Sequence, residues 1–140
     1  MFCLDKLKVY EKALANAASL AQHSESWDKR HAVTDQLLRA SESVVLNLAE
    51  AARLRSTAKR QPLLDYAIGS ALESAACLDI AQIKGFLCND EVLREKRCLC
   101  EVVKMLVGLK RAWSAEAFHE ESSTYGKPED WLFPHERLDA

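Results

Sequence analysis

Two pairs of polar residues in the middle of the chain carry groups capable of acid–base chemistry. Asn47 and Glu50 stand three apart in one stretch, and Ser70 and Glu73 stand three apart in another. Two carboxylates brought face to face are the raw material of general acid–base catalysis. Oxygen chemistry at a di-iron centre is a second option, and it needs two Glu-x-x-His motifs with two further glutamates projecting inward. The chain has Glu116-x-x-His119 near a helix end and Asp28-x-x-His31 at a loop, neither of them at a bundle midpoint, so no metal or other cofactor is expected. Five cysteines, Cys3, Cys77, Cys88, Cys98 and Cys100, form no CxxC pair and no zinc spacing. They read as reduced thiols, most of them serving as small core residues. Phosphate binding is the third option. Arg39, Arg53, Arg55, Lys59 and Arg60, with Lys29 and Arg30 at the far end of the same stretch, make the middle of the chain basic. Such a patch binds nucleic acid in a salt-dependent way; with Asp35 and Glu42 interleaved, it is equally the pattern of an ordinary solvated helix face. No Ser-His-Asp order, glycine-rich phosphate loop or base-stacking aromatic platform is present.

The element that must position these residues is the stretch Gln36 to Arg55. Leu37, Leu38, Val44, Val45, Leu48 and Ala52 recur there at the spacing of one helix face. Beside that stripe runs another, Ala40, Ser43, Asn47, Glu50 and Leu54, and a matching row on a later helix holds Tyr66, Ser70, Glu73, Cys77 and Ile80. Polar groups within rows that look buried need hydrogen-bond partners. Ser43, Asn47, Glu50, Ser70 and Glu73 are therefore expected to form a structural polar network that fixes helix register, in preference to an active site.

At 140 residues the chain is one domain able to bury a core, and its four glycines, three prolines and 7% aromatics favour helices. The net charge of −2 argues against a broadly basic nucleic-acid coat while allowing a local patch. No apolar run is long enough to span a membrane, and the charged opening MFCLDKLKVYEK does not suit a secretory signal, so a cytoplasmic protein is expected. Four helices are expected: Leu4 to Gln22 with Leu7, Tyr10, Leu14, Ala17, Ala18 and Ala21 inward; Arg30 to about Leu54; Pro62 to Phe86; and Glu91 to Phe118. Trp27 should anchor the loop between the first two helices. Gly69, costly inside a helix, should mark close approach of another helix backbone. The fold class is thus all-α, an antiparallel up-down-up-down four-helix bundle over residues 1–118, with an acidic, aromatic-containing C-terminal extension over 119–140. Trp131 and Phe133 in that extension are expected to dock on the bundle or on a neighbouring subunit.

The ordered set Leu38-Arg39-Ala40, Ser43, Asn47-Leu48-Ala49-Glu50, then Ala67, Gly69-Ser70 and Glu73 resembles a bacterial family. These are the small four-helix-bundle proteins encoded in intervening sequences of 23S ribosomal RNA genes, also known as S23 ribosomal proteins. The accessory variability proteins of diversity-generating retroelements are similar in structure. The family's pattern is roughly QLRRAAxSIxxNIAEG followed by a helix with AxGSxxE, and the match runs from Gln36 to Leu78. Departures occur where the family has glycine and this chain has Ala51 and Arg53, where Leu54 replaces an arginine, and where Arg60 replaces an aromatic residue. The second helix is therefore expected to run on further than usual.

The resemblance implies a homo-oligomer, with a homopentamer favoured, and the retroelement relatives bind a reverse transcriptase and nucleic acid through basic surfaces. Leu46, opposite the main apolar face of its helix, and Ala49 beside it independently suggest a partner surface. The resulting expectation is a non-enzymatic, self-assembling adaptor for RNA or a ribonucleoprotein such as a reverse transcriptase complex. The rival reading is a structural or protein–protein interaction oligomer that binds no nucleic acid.

Overall fold

A computed structural model describes residues 3–122, and they form four α-helices. After a short 3₁₀ turn at Cys3–Lys6 come α1 (Lys8–Ser24), α2 (Ala32–Arg53), α3 (Thr57–Ile83) and α4 (Asn89–Ser122). Packing runs α1 on α2, α2 on α3, α3 on α4, and α4 back on α1, so the helices close a ring. Side-chain pairs tie neighbouring helices together. Ser43 meets Ser70, Asp79 and Asp65 meet Lys96 and Lys110, and Lys12 and Asn16 meet Glu101 and Glu95. Between α3 and α4, and between α4 and α1, the paired residues advance along one helix as they recede along the other, so these neighbours are antiparallel, as the expected up-down-up-down bundle requires. Among the described residues no helix is long and apolar enough to cross a membrane.

The core follows heptad-like rows from each helix: Val9, Ala13 and Leu20; Leu37, Val44 and Leu48; Leu64, Ala71 and Leu78; and Leu99, Val102, Leu106 and Trp113. The α1 row differs from the expected one. Leu14 is 43% exposed, whereas Asn16 is 3% exposed and lies in the buried row. Reading Asn16 as an outward residue rotates the predicted face away from the true one. Of the cysteines whose side chains are described, only Cys77 joins the core; Cys88 and Cys100 are exposed and Cys98 is half-buried. Burial pushes the Cys77 and Cys98 thiols above their ordinary pKa.

The turns explain where the helices stop. α2 ends at Arg53, one residue short of the expected run-on, because Leu54 is extended and its N–H bonds the Ala51 carbonyl. α3 begins at Thr57, five residues before Pro62, with Ser56 O accepting the N–H groups of Lys59 (3.1 Å) and Arg60 (2.9 Å). Pro62 sits close enough to that start to forfeit only the bond to the Ala58 carbonyl. α3 ends at Ile83, earlier than expected, through a left-handed Gly85 at φ 78°. Phe86 N–H reaches Ala81 O and Gly85 N–H reaches Gln82 O, both at 2.9 Å, which is the double bond of a Schellman stop. Phe86 then stacks on the buried Trp27 at 5.2 Å, so the anchor expected from the sequence joins the α1–α2 loop to the α3–α4 turn. α4 starts after Cys88, whose N–H is accepted by Glu91 Oε1 at 3.0 Å, one half of a capping box. At the other end it passes the expected boundary at 118 and runs to Ser122. Trp131 and Phe133 lie outside the described residues.

Gly69 does not mark a close approach within the bundle. It is exposed on α3, and a Cβ built on it meets nothing within 4 Å. Trp27 is 6% exposed at the junction of both loops, so Trp27→Ala is expected to destabilise the fold by about 3 kcal/mol in urea denaturation.

Candidate functional site

The polar network expected between α2 and α3 forms in part. Ser43 Oγ and Ser70 Oγ are 2.8 Å apart, and Asn47 Nδ2 donates to both Ser43 O and Ser43 Oγ at 2.9 Å. Buried Ser74 continues the row by donating to Ser70 O at 2.9 Å. The two glutamates stand outside this network. Glu50 is exposed and pairs with Arg53 at 3.4 Å, and Glu73 is exposed on α3. The Ser43–Ser70 pairing sets the register, placing Glu50 seven residues toward the α2–α3 turn and Glu73 three residues the other way. At 1.5 Å per residue the two carboxylates are about 15 Å apart along the bundle, too far to share a substrate proton. Among the described residues no cluster of three or more His, Cys, Asp or Glu side chains is placed to hold a metal.

The basic residues separate into three groups. Arg39 is exposed but pairs with Asp35 at 2.9 Å, and it lies about 21 Å along α2 from Arg53. Arg60 is 2% exposed: its guanidinium carbon lies 4.3 Å from the Trp113 ring centroid and its Nε donates to Leu54 O. That position removes it from the expected surface patch and makes it a clamp joining the α2–α3 turn to α4 through a cation–π contact. Arg53, Arg55 and Lys59 remain together, exposed around the turn. The sequence reading missed Arg111, which is exposed on α4 toward the same end. It borders an open groove of about 490 Å³, together with Gln61, Lys110 and Ser114.

The most buried polar cluster was also missed. Glu95 is 4% exposed; its Oε2 accepts from Asn16 Nδ2 at 3.2 Å and its Oε1 from Ser19 Oγ at 2.5 Å. His23 spans two carboxylates, with Nε2 3.5 Å from Glu95 and Nδ1 3.4 Å from Glu91. The two ring nitrogens face different carboxylates, which suits a bridge between helices and not a shared metal. The signal was present: Glu95 sits in the row Val92, Leu99, Val102, Leu106, and Asn16 in the row Val9, Ala13, Leu20. Polar residues at core positions of two neighbouring helices are candidates for pairing. Glu91 is held below the usual carboxylate pKa chiefly by the Cys88 backbone N–H, with the Cys88 thiol and His23 adding to it.

Of the expected partner surface, Leu46 is 66% exposed and Ala49 half-buried. Leu46 is isolated, however, among Arg39, Glu42, Glu50 and Arg53 on the outer face of α2. The larger apolar surface is the back of α3. Tyr66, Gly69, Glu73, Ala76, Ile80 and Ile83 are all exposed and follow alternating steps of three and four, the spacing of a coiled-coil seam. Leu72 flanks them, and Ile83 is 85% exposed.

Comparison with known proteins agrees with this architecture. The family model of the 23S rRNA-intervening sequence protein matches residues 5–108, and the chain belongs to that family. A crystal structure of a protein of unknown function from the S23 ribosomal protein family of Bacteroides thetaiotaomicron is similar, with a TM-score of 0.68 and 21% identity. The match covers 73% of this chain and 97% of that one, and it shows a shared fold. No curated protein sequence is significantly similar to the chain.

Three outcomes are expected from this geometry. Glu95→Ala strands Asn16 and opens a buried gap, and chemical denaturation should register a loss of about 2–4 kcal/mol. Glu50→Gln and Glu73→Gln should each stay within about 0.5 kcal/mol of the parent. For Glu91 the folded pKa lies below its unfolded value, so its stabilising contribution is present above the ordinary value of 4.5 and fades as pH falls through the depressed one. Thermal melts of the parent and Glu91→Gln should therefore differ at neutral pH and converge in acid.

Proposed function

We propose that this member of the 23S rRNA-intervening sequence protein family is a non-enzymatic, self-assembling cytoplasmic adaptor that holds RNA or a ribonucleoprotein at the α2–α3 end of its bundle. The observation that carries the reading is the group Arg53, Arg55 and Lys59, exposed together at that end. Lys59 is the telling member. It lies in the first turn of α3, which contains no acidic residue, so its charge opposes the positive end of the helix dipole. Nothing in the fold is gained by a cation there, whereas a phosphate would be. Arg111 and the groove lined by Gln61, Lys110 and Ser114 extend the surface with further cations and hydrogen-bonding groups.

Self-assembly is supported by the α3 back. A row of Tyr66, Gly69, Glu73, Ala76, Ile80 and Ile83, one charge among otherwise uncharged members, has the spacing of a helix that packs against another, and the open space above Gly69 allows a second backbone to come close. A homopentamer, as the family resemblance implies, would repeat the basic end five times and turn a modest patch into a multivalent one. The same apolar back favours the second reading, an oligomer whose business is with protein alone.

Binding of single-stranded RNA by the purified oligomer across a salt series tests the first reading. Affinity should fall steeply with salt and be lost in Arg53→Glu/Arg55→Glu; absence of binding at low salt would refute it and leave the protein-partner reading. Lys59→Glu should act in two opposite directions, weakening RNA binding while raising fold stability by about 0.3–1 kcal/mol. Tyr66→Glu/Ile80→Glu should dissociate the oligomer in light scattering without unfolding the bundle, whereas Leu46→Glu should leave its size unchanged.

A further inference from the structure

The outer face of α4 carries charge that the fold does not use. Between Leu93 and Ser114 the sequence holds six basic and two acidic residues, and half of these eight are committed within the bundle. Glu95 is enclosed with Asn16 and Ser19, and Glu101 is held by Lys12 of α1. Lys96 and Lys110 are bound to Asp79 and Asp65 of α3 at 2.9 and 2.6 Å. Arg94, Arg97, Lys104 and Arg111 remain, all exposed. Arg94 lies in the field of Glu91, and Lys104 in that of Glu101. Among the described residues Arg97 and Arg111 form no hydrogen bond or ion pair. Arg97, Lys104 and Arg111 follow one another at seven-residue intervals. Each interval is close to two helical turns, so the three share one face on a nearly straight line, about 10.5 Å between neighbours. Local preference does not account for the row. An exposed cation on a helix is supported by a carboxylate three or four residues before it. Before Arg97 stand Leu93 and Arg94, and before Arg111 stand Val107 and Gly108.

We infer that the backbone of a base-paired RNA stem lies along α4, with Arg97, Lys104 and Arg111 on its phosphates. This inference rests on the RNA-binding reading above and names the form of the RNA. The pairs Asp79–Lys96, Asp65–Lys110 and Gln61–Ser114 keep one antiparallel register between α3 and α4. In that register Arg111 is level with position 64, about 8 Å along the axis from Lys59, so the row continues from the basic α2–α3 end. From Arg97 to Arg111 it spans about 21 Å of rigid helix. Such a row fits a partner whose own charges are fixed in space. A duplex presents its phosphates that way on its outside and at high density. A single strand must be ordered as it binds, and proteins that hold one supply aromatic side chains on which its bases stack. Between Arg97 and Arg111 the other exposed residues are Lys104, Cys100 and Glu101, with no aromatic among them. Contacts confined to phosphates carry no sequence information, so the stem is recognised by charge and shape.

The experiment uses the full chain and two full-length variants. One is Arg97→Gln/Lys104→Gln/Arg111→Gln. The other, Lys29→Gln/Arg30→Gln/Lys84→Gln, removes the same charge from exposed positions at the opposite end of the bundle. Each is titrated at several salt concentrations with a mixed-sequence RNA duplex of about 16 base pairs and with one of its strands alone. The parent should bind the duplex more tightly than the strand. The α4 variant should lose about tenfold or more in duplex affinity at low salt, and its plot of log affinity against log salt should be shallower by about 2–3. The charge-matched control should stay within about twofold of the parent. Equal weakening of both variants overturns the inference, as does an α4 variant that binds like the parent or a strand bound as tightly as the duplex. The two readings fail separately. If Arg53→Glu/Arg55→Glu abolishes RNA binding and the α4 variant does not, the α2–α3 end stands and the α4 track is refuted. If the α4 variant abolishes it and Arg53→Glu/Arg55→Glu does not, the track stands and the reading of the α2–α3 end falls. A parent that binds neither form at low salt refutes both.

Discussion

A carboxylate with almost no access to water, Glu95, governs how this bundle closes. Chain connectivity brings α1 to α2, α2 to α3 and α3 to α4, but the fourth contact, α1 with α4, joins elements from opposite ends of the fold and is the least extensive of the helix–helix interfaces. Apolar packing there would tolerate sliding or rotation of one helix against the other. A buried charge does not, because moving it away from Asn16 and Ser19 leaves an unsatisfied ion in a dry environment. Glu95 therefore fixes both the height and the rotation of α4 against α1. His23 and Glu91 continue that line to the Cys88 cap, so the register of the interface and the start of α4 are set by one connected row.

The other polar contacts divide similarly between closing the fold and serving its surface. Arg60 is the second internal fastener: it lies in the first turn of α3, yet its charge faces Leu54 O and the Trp113 ring, which offset the unfavourable dipole. Ser43, Asn47 and Ser70 do the same work along the α2–α3 seam with neutral groups. Once these are assigned to the fold, Arg53, Arg55 and Lys59 are the expected basic residues that stay exposed around the α2–α3 turn. An active-site reading needs convergent titratable groups in a recess. Glu50 and Glu73, the two carboxylates that the sequence offers for acid–base work, are exposed and about 15 Å apart along the bundle.

The architecture was legible because hydrophobic spacing is a property of each helix alone. Four periodic stretches and the ordered set from Leu38 to Glu73 sufficed for the bundle and for the family. What could not be read this way was anything decided between helices. The α1 face was misjudged because Asn16 belongs inside only if Glu95 faces it, a pairing that shows only when the rows of two helices distant in sequence are read together. Arg60 looks like a surface cation until Trp113 is brought over it from more than fifty residues away. Gly85 is different. Its left-handed conformation and the Phe86 contact are local, and the pair Gly85-Phe86 was available as a helix stop that the longer expected helix ran through.

The two faces of α3 connect these points to function. A helix that serves only as one wall of a bundle needs a single apolar stripe, with polar residues behind it. α3 buries Leu64, Ala67, Ala71 and Leu78 on one side and exposes Tyr66, Ile80 and Ile83 on the other. Within one chain the second set is a liability, and the exposed Gly69 between them adds about 1 kcal/mol of helix cost with no contact in return. Lys59, at the head of the same helix, likewise works against the local dipole. Three departures from what stability alone would choose therefore fall on one element, and each is of a kind that a contact outside the bundle would offset: an apolar partner for the back, a close backbone for the glycine, and an anion for the lysine. α2, by contrast, follows local preference nearly throughout, with an isolated Leu46 as its exception. The helix that departs most from the requirements of its own fold is thus the one that carries the surfaces on which the proposed self-assembly and anion binding rest.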